Sequence, residues 1–366
     1  MYQYILLPFI KYASFLNVFK YITFRVGMAA LTSMLISLII GPWVIKKLQE
    51  FKFGQEVRKD ESVRLHELHK GKQGTPTMGG VMFTFSVVLS TLFWADINLP
   101  YIVIAVTGII LFTLIGFADD YIKIKKKRSK GLTAGQKFLS QAFLALVLGV
   151  YLLHFSEITA FASEIFLPFL KGTIIHNSEW FYLLFIVFVI TGTSNAVNLT
   201  DGLDGLAIGC TIVASLAFTI MCYVVGNKVF CDYLYLEYIR ESAELSVFCA
   251  AMSGAGLGFL WYNAHPAKVF MGDTGALGIG GALGIVAVLI KKEIYLFIIG
   301  GVFVIEALSV ILQVGSFKLR KKRIFLCAPF HHHLEFMGWK EPTITVRLWI
   351  LAIIFAILGL SSLKLR

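Results

Sequence analysis

Five aspartates lie at the ends of long apolar segments, where ionisable residues are uncommon and usually functional. They are Asp119, Asp120, Asp201, Asp204 and Asp273. Adjacent carboxylates such as Asp119 and Asp120 repel each other, and in a poorly solvated place they persist only if a cation neutralises them or one is protonated. Mg²⁺ takes oxygen ligands and is commonly held by one or two carboxylates together with substrate phosphates. The aspartates therefore indicate a Mg²⁺ site, and the surplus carboxylates suggest substrate binding or proton transfer.

Lysines and histidines accompany these aspartates. Lys123 follows Asp120 by three residues, which places both side chains on one face if the third apolar segment continues as a helix. Lys72, Lys123 and Lys137 can bind phosphate oxygens as point charges. The consecutive histidines 331–333 would point in different directions in a helix, so we expect one or two of them, and not a triple zinc ligand, at the site. The combination fits phosphoryl transfer, in which catalysis is mainly positioning and neutralisation of charge.

Each of these residues also has a purely structural interpretation. The adjacent aspartates can be a solvated helix end, the glycine-flanked Asp201 and Asp204 suit turns, and Asp273 can cap a helix. The lysines within 123–130 are typical of a cytoplasmic loop. Glu306 lies in the middle of an apolar segment, and we interpret it as a buried interhelical hydrogen-bonding group.

The composition excludes an ordinary water-soluble protein. Of the 366 residues, 57% are hydrophobic and only 15% are charged, whereas soluble domains carry about a quarter of charged residues. Lysine and arginine outnumber aspartate and glutamate by 33 to 22, which gives a formal net charge of +11. Because basic residues of membrane proteins cluster in cytoplasmic loops, we interpret this excess as a topology signal and predict no nucleic-acid partner.

Ten apolar stretches are long enough to cross a bilayer as helices. They comprise residues 26–45, 75–95, 101–118, 138–155, 180–196, 206–225, 245–262, 274–290, 294–314 and 348–363. Lysine and arginine are concentrated in the first, third and ninth connecting loops and are sparse in the even-numbered loops. The odd-numbered loops are therefore predicted to be cytoplasmic and both termini periplasmic. The aspartates and histidines also fall in odd-numbered loops, which predicts a polar active site on the cytoplasmic face.

The chain is predicted to form a single transmembrane domain over residues 1–366, because no repeat or long linker divides it. Residues 1–19 contain a broken apolar stretch without a small-residue cleavage signal. This pattern predicts an N-terminal interfacial segment rather than a removed signal peptide.

Six motifs follow one another in an order that resembles a known family. They are Gly-Thr-Pro-Thr-Met-Gly-Gly at 74–80, the Asp119-Asp120 pair, residues 195–205, residues 266–273, Val-Gly-Ser-Phe-Lys at 314–318 and Pro-Phe-His-His-His at 329–333. The family is that of the phospho-N-acetylmuramoyl-pentapeptide transferases of bacterial cell-wall synthesis, within the polyprenyl-phosphate N-acetylhexosamine-1-phosphate transferase superfamily. The resemblance extends over residues 17–366 and agrees with an all-α polytopic integral membrane protein of about ten transmembrane helices.

The resemblance implies a specific reaction. Phospho-N-acetylmuramoyl-pentapeptide would pass from UDP-N-acetylmuramoyl-pentapeptide to undecaprenyl phosphate, giving the first lipid-linked peptidoglycan precursor (lipid I) and UMP, with Mg²⁺ as cofactor. It also implies a multi-pass protein of the bacterial cytoplasmic (inner) membrane whose active site faces the cytoplasm, with membrane lipid around it and a possible homodimer.

The resemblance also implies a role for each motif residue. Asp273 would be a Mg²⁺ ligand, and Asp119 with Asp120 would bind or activate the lipid phosphate, both being further candidate ligands. The residues implied for nucleotide, diphosphate and phosphates are Asn198, Asp201, Asp204, Lys72, Lys123 and Lys137. Asn263 and Phe270 would lie at the uridine, whose base can stack on an aromatic ring. His331, His332 and His333 would face the muramoyl side, with His331 among the catalytic residues.

Two mechanisms and three other functions stay open at this point. The lipid phosphate can attack the β-phosphate of the donor in a single step, with Asp119 taking any remaining proton, or Asp273 or Asp119 can act as a covalent nucleophile. The alternative functions are a polyprenyl-phosphate N-acetylglucosamine-1-phosphate transferase, an intramembrane prenyltransferase that releases pyrophosphate, and a cation-coupled membrane transporter. A transporter would normally place its acidic residues near the middle of the bilayer.

Overall fold

The computed structural model describes residues 14–51, 74–126, 131–155, 164–168, 174–176 and 178–364. The first six α-helices are α1 (Ile22–Glu50), α2 (Gly80–Trp94), α3 (Pro100–Lys125), α4 (Ala134–Phe155), α5 (Glu179–Thr200) and α6 (Leu206–Val225). The other seven are α7 (Lys228–Leu234), α8 (Ser242–Asn263), α9 (Gly272–Leu289), α10 (Glu293–Ile299), α11 (Gly301–Arg320), α12 (Phe330–Phe336) and α13 (Glu341–Ser361).

Three short elements complete the fold. The predicted interfacial segment lies mostly outside the described residues, but its end forms a 3₁₀ helix over Ser14–Lys20. Between α4 and α5, strand β1 (Glu164–Phe166) pairs antiparallel with strand β2 (Ile174–His176). The sequence pattern did not predict this hairpin, because three residues per strand are too few to show an alternation of apolar and polar side chains.

Each predicted membrane span overlaps an apolar helix. Among the described residues, nine helices are long and apolar enough to cross a membrane, namely α1, α3, α4, α5, α6, α8, α9, α11 and α13, and α2 is a shorter apolar helix. The prediction of an all-α polytopic membrane protein is thus confirmed.

The second predicted span begins later than the hydropathy indicates. Residues 75–79 are not helical, and α2 starts at Gly80. The backbone here bonds to the segment before α9: the N–H of Phe270 donates to the carbonyl of Pro76 at 2.8 Å, and that of Gly79 donates to the carbonyl of Phe270 at 2.8 Å. The inter-segment hydrogen bonds satisfy these backbone groups without a helix.

The ninth predicted span, 294–314, is wrong as one continuous helix, because the chain breaks at Gly300 into α10 and α11. The neighbouring Gly301 packs against the ring of Phe355 in α13, where a Cβ would come within 2.6 Å of a ring carbon. Gly-Gly pairs favour a break because glycine lowers helix stability. Hydropathy does not detect the contact between Gly301 and Phe355, so it predicts one continuous span.

Helices α8 and α9 form the centre of the bundle, and nearly all their residues are buried. Helix α9 packs against α3 and α5, and α8 packs against α1 and α6. Large apolar side chains cover the outside instead, with Trp43 65%, Leu139 68% and Trp180 78% exposed. Such a surface is stable against lipid, and it leaves the end of the central helix α9 as the point where polar side chains from several helices can meet.

Candidate active site

Helix α3 continues past its apolar part and carries the first half of the site. It extends to Lys125, so Asp119, Asp120 and Lys123 lie on its last turns. Nζ of Lys123 is 2.5 Å from Oδ2 of Asp119 and 3.6 Å from Oδ1 of Asp120. The predicted common face of Lys123 and Asp120 is therefore confirmed.

Helix α9 contributes the second half at its N-terminus. Asp273 is the second residue of α9 and follows Gly272, whose positive φ of 71° favours glycine. Oδ2 of Asp273 is 2.7 Å from Nζ of Lys123 and 2.9 Å from Nζ of Lys137. Its Oδ1 accepts a 2.5 Å hydrogen bond from Nδ2 of Asn198, at the end of α5. Side chains from α3, α4 and α5 thus converge on one carboxylate of α9.

Close helix packing makes this convergence possible. A Cβ at Gly116 in α3 would overlap the backbone carbonyl of Asp273, and a Cβ at Gly80 in α2 would overlap the backbone of Gly275 in α9. Small residues let helix backbones approach closely in membrane proteins. Gly80 therefore contributes to the close approach of α2 and α9.

Two backbone segments hold the carboxylates of α3 in place. Oδ2 of Asp120 accepts hydrogen bonds from the N–H and Oγ1 of Thr274, at 2.9 and 2.7 Å. Oδ1 of Asp119 accepts the N–H of Leu132 at 2.7 Å. Sequence reasoning missed Thr274 and Leu132, because a single threonine or a backbone N–H carries no distinctive spacing.

The aspartate cluster, Asp119, Asp120 and Asp273, has the donor set of a metal site. One oxygen from each carboxylate lies within 4.8 Å of the others. Asp119 and Asp120 are only 2% and 4% exposed, so their mutual repulsion is weakly screened by solvent. Lys123 and Lys137 offset part of this charge. Three converging carboxylates with two ammonium groups fit a hard cation such as Mg²⁺ beside phosphate oxygens.

The remaining two aspartates lie apart from this cluster. Asp201 is the C-cap of α5, three residues beyond Asn198. Asp204 is buried, and its Oδ2 accepts the N–H of Ala267 at 3.1 Å and lies 3.0 Å from Nδ1 of His265. Its own N–H donates to Glu341 at 2.7 Å. Asp204, His265 and Glu341 thus form a second polar cluster, which joins two loops to the start of α13 and which sequence reasoning missed.

The residues implied for the uridine connect the fifth and seventh loops. Oδ1 of Asn263 accepts the N–H of Gly205 at 3.1 Å, and its Nδ2 donates to the carbonyl of Val269 at 2.9 Å. Phe270 is partly exposed, and its backbone pairs with Pro76 and Gly79. Asn263 therefore fixes the loop that carries Phe270.

The three histidines occupy the first turns of α12 and point in different directions, as predicted for a helix. Nδ1 of His331 is 3.1 Å from Oε2 of Glu306, and Nδ1 of His332 is 2.6 Å from Oε2 of Glu335. Nδ1 of His333 accepts the N–H of Leu326 at 3.2 Å. Glu306, interpreted from the sequence as a buried interhelical hydrogen-bonding group, is thus bonded to His331. Lys72 lies outside the described residues.

Comparison with known families assigns this helical bundle and its aspartate cluster to a class of membrane transferases. The model of the family described as glycosyl transferase family 4 matches residues 101–291, from the start of α3 to just beyond α9, a range that contains the whole cluster. A phospho-N-acetylmuramoyl-pentapeptide-transferase signature matches residues 72–83.

Two curated relatives are similar over the whole chain. A phospho-N-acetylmuramoyl-pentapeptide-transferase of Koribacter versatilis (strain Ellin345) is 48% identical over 364 residues, covering 96% of this chain and 95% of the relative. One of Desulfatibacillum aliphaticivorans is 49% identical over 367 residues, covering 100% of both. The chain belongs to the phospho-N-acetylmuramoyl-pentapeptide transferase family.

Proposed function

We propose that the protein transfers phospho-N-acetylmuramoyl-pentapeptide from UDP-N-acetylmuramoyl-pentapeptide to undecaprenyl phosphate, releasing UMP, at the cytoplasmic face of a bacterial inner membrane. The observation that carries the proposal is the convergence of Asp119, Asp120 and Asp273 with Lys123 and Lys137 at one end of a bundle of apolar helices. A site at the end of the bundle lies at the boundary between lipid and water. It is therefore accessible both to a cytosolic nucleotide sugar and to an acceptor phosphate whose chain stays in lipid.

Magnesium is the cofactor that this donor set favours. Asp273, Asp119 and Asp120 are the residues that would hold it. When bound, Mg²⁺ neutralises charge on the diphosphate oxygens and fixes their orientation.

The chain's own residues position and neutralise the reactants. A phosphate monoester has a second pKa of about 6, so the acceptor is largely dianionic at neutral pH and needs little help from a base. Its oxygen forms a bond to the β-phosphorus of the donor, and the bond from that phosphorus to the bridging oxygen breaks as UMP leaves. Lys123 and Lys137 stabilise the phosphate charges, and Asp119 takes the proton of any monoanionic acceptor.

The other motif residues serve the donor. Asn198 orients Asp273 through its 2.5 Å hydrogen bond. Asp201 and Asp204 lie on the adjoining loop that would hold the nucleotide and diphosphate, and Asn263 fixes the segment whose Phe270 ring would stack on uracil. Lys72 would complete the phosphate contacts, and the muramoyl side would lie against α12, which carries His331, His332 and His333.

The test is release of UMP by purified protein in lipid or detergent. We expect UMP only when UDP-N-acetylmuramoyl-pentapeptide, polyprenyl phosphate and Mg²⁺ are all present, and a loss of at least about a hundredfold in Asp273→Asn. Asp232→Asn is the matched control, because Asp232 is exposed on α7 at the other end of the bundle. Equal turnover of UDP-N-acetylglucosamine would show the sibling activity instead. A labelled phospho-enzyme formed with the nucleotide substrate alone would contradict the single-step mechanism.

A further inference from the structure

Glu306 and His331 form a buried pair. The proposed mechanism gives Glu306 no role. Glu306 is the sixth residue of α11 and is 0% exposed, and His331 in α12 is 1% exposed. Oε2 of Glu306 is 3.1 Å from Nδ1 of His331. The backbone N–H of His331 also donates to the two carboxylate oxygens, at 3.2 and 3.3 Å. One carboxylate therefore holds both the backbone and the ring of one histidine.

These contacts fix the orientation of the imidazole. With Nδ1–H donated to Glu306, the ring cannot turn over without losing that hydrogen bond, so Nε2 is directed away from α11. A carboxylate buried within an apolar helix is costly, and an apolar side chain of similar size would serve packing at least as well. The presence of Glu306 is thus better explained by orientation of the histidine than by packing.

Nε2 of His331 faces Gly202, in the loop between α5 and α6. A Cβ at Gly202 would overlap Nε2, so the missing side chain of this glycine leaves room at the nitrogen. Nε2 is buried and has no hydrogen-bond partner among the described residues. Because a buried nitrogen without a partner is unfavourable, a ligand oxygen at this position would gain a hydrogen bond.

We propose that Glu306 is a positioning residue, which holds His331 so that Nε2 contacts a polar group of the nucleotide-sugar donor beside Gly202. The proposal rests on the proposed function. It assigns the first histidine to the donor side and separates its role from those of His332 and His333, whose Nδ1 atoms bond to neighbours within and just before α12.

The experiment is a double-mutant cycle in the UMP-release assay. Glu306→Gln keeps the shape of the side chain but removes its negative charge and replaces one acceptor oxygen with an NH₂ donor, so we expect kcat/KM for the donor to fall about 10- to 100-fold, as for other residues that orient a functional histidine. In the His331→Ala background the same change should cost no more than about twofold. Glu306→Asp should recover part of the activity, and KM for polyprenyl phosphate should stay within about twofold of wild type.

Gly202→Ala tests the space at Nε2 of His331 and leaves Glu306 unchanged. It should lower kcat/KM for the donor by a similar factor, and this result decides the question if Glu306→Gln does not fold. Glu293→Gln is the matched control, because Glu293 is also buried and accepts a 2.5 Å hydrogen bond from Tyr182 far from the aspartates. Its kcat/KM should remain at the wild-type level.

Three results would overturn the positioning role: wild-type kcat/KM in Glu306→Gln or in Gly202→Ala, losses that multiply in the double mutant, or an effect confined to KM for the lipid acceptor. Failure of the proposed function is distinguishable from these, since wild-type protein itself would then release no UMP from UDP-N-acetylmuramoyl-pentapeptide.

Discussion

Nζ of Lys123 lies 2.7 Å from Oδ2 of Asp273, although 150 positions separate the two residues in the chain. The same ammonium group is 2.5 Å from Oδ2 of Asp119, so one lysine links the end of α3 to the start of α9. The contact brings a positive charge to the position where a diphosphate would meet the carboxylates. It also ties the geometry of the site to the packing of two helices.

Mg²⁺ should stabilise the folded protein through the aspartate cluster. A ligand that binds only the folded state raises its stability by about 2.7 kcal/mol at a hundred times its dissociation constant. We expect millimolar Mg²⁺ to raise the melting temperature of the wild type, and a chelator to abolish both this rise and UMP release.

Two variants test whether the aspartate cluster is the site of Mg²⁺ binding. Asp120→Asn removes a carboxylate that is 4% exposed within the cluster, whereas Asp232→Asn changes an exposed residue on α7. The Mg²⁺-dependent rise in melting temperature should shrink in Asp120→Asn and persist in Asp232→Asn. An equal rise in all three proteins would argue against a metal at the aspartates.

Gly116→Ala should damage both folding and activity. The added Cβ would overlap the carbonyl of Asp273, and overpacking of this kind typically costs about 1 to 3 kcal/mol. Gly192→Ala in α5 is the matched control, since a Cβ there meets nothing within 4 Å and alanine is the better helix former by about 1 kcal/mol. Thermal unfolding and UMP release measure the two effects. Equal behaviour of the two variants would mean that α3 and α9 need not approach so closely.

Arg25 and Glu244 should contribute strongly to stability. Their side chains are 3% and 9% exposed, and two hydrogen bonds of 2.7 and 2.5 Å join α1 to α8. Removing one partner of a buried ion pair typically costs about 3 to 5 kcal/mol, because the other charge is left uncompensated. We therefore expect a large fall in melting temperature for Glu244→Gln.

The surface pair Lys47 and Glu50 provides the comparison. It has a similar distance, 2.7 Å, but its side chains are 47% and 46% exposed. Exposed pairs contribute about 0 to 1 kcal/mol, so Glu50→Gln should leave the melting temperature nearly unchanged. A comparable destabilisation in both variants would show that burial does not decide the strength of the Arg25 pair.

Lys291 should make stability depend on pH above neutrality. It lies between α9 and α10, is 0% exposed, and burial lowers its pKa from 10.5 to about 8. Between these two pH values the unfolded chain binds more protons than the folded chain, so the free energy of unfolding rises with pH by an amount on the order of 1 to 3 kcal/mol.

Thermal unfolding from pH 7.5 to 10.5 tests this dependence. Lys291→Met should flatten the rise, because the buried ammonium is removed. Lys228→Met, which changes an exposed lysine on α7, should keep the wild-type slope. The same slope in Lys291→Met would assign the pH dependence to other groups.

Much of the fold is visible in the chain itself, because a bilayer requires every span to satisfy its own backbone hydrogen bonds. Apolar runs therefore predict the helices directly, and the span at 206–225 agrees with α6 to the residue. Local spacing also predicts the shared face of Lys123 and Asp120, since positions three apart in a helix are neighbours.

The exceptions arise from contacts between distant segments. The start of α2 at Gly80 depends on backbone bonds to Phe270, and the break at Gly300 coincides with packing of Gly301 against Phe355. The pairing of Glu306 with His331 joins two helices across an irregular connection. Each of these features depends on a neighbour that hydropathy and spacing do not identify.

The sequence by itself determined the membrane class, the approximate spans and the chemical types at the site, because these follow from local composition and from periodicity along one chain. Tertiary structure decided which of the five aspartates share a site. Asp119, Asp120 and Asp273 meet because glycines let α3 and α9 pack closely, whereas Asp204 is held by His265 and Glu341. Packing between helices selects among chemically equivalent side chains, and that selection appears only once the chain is folded.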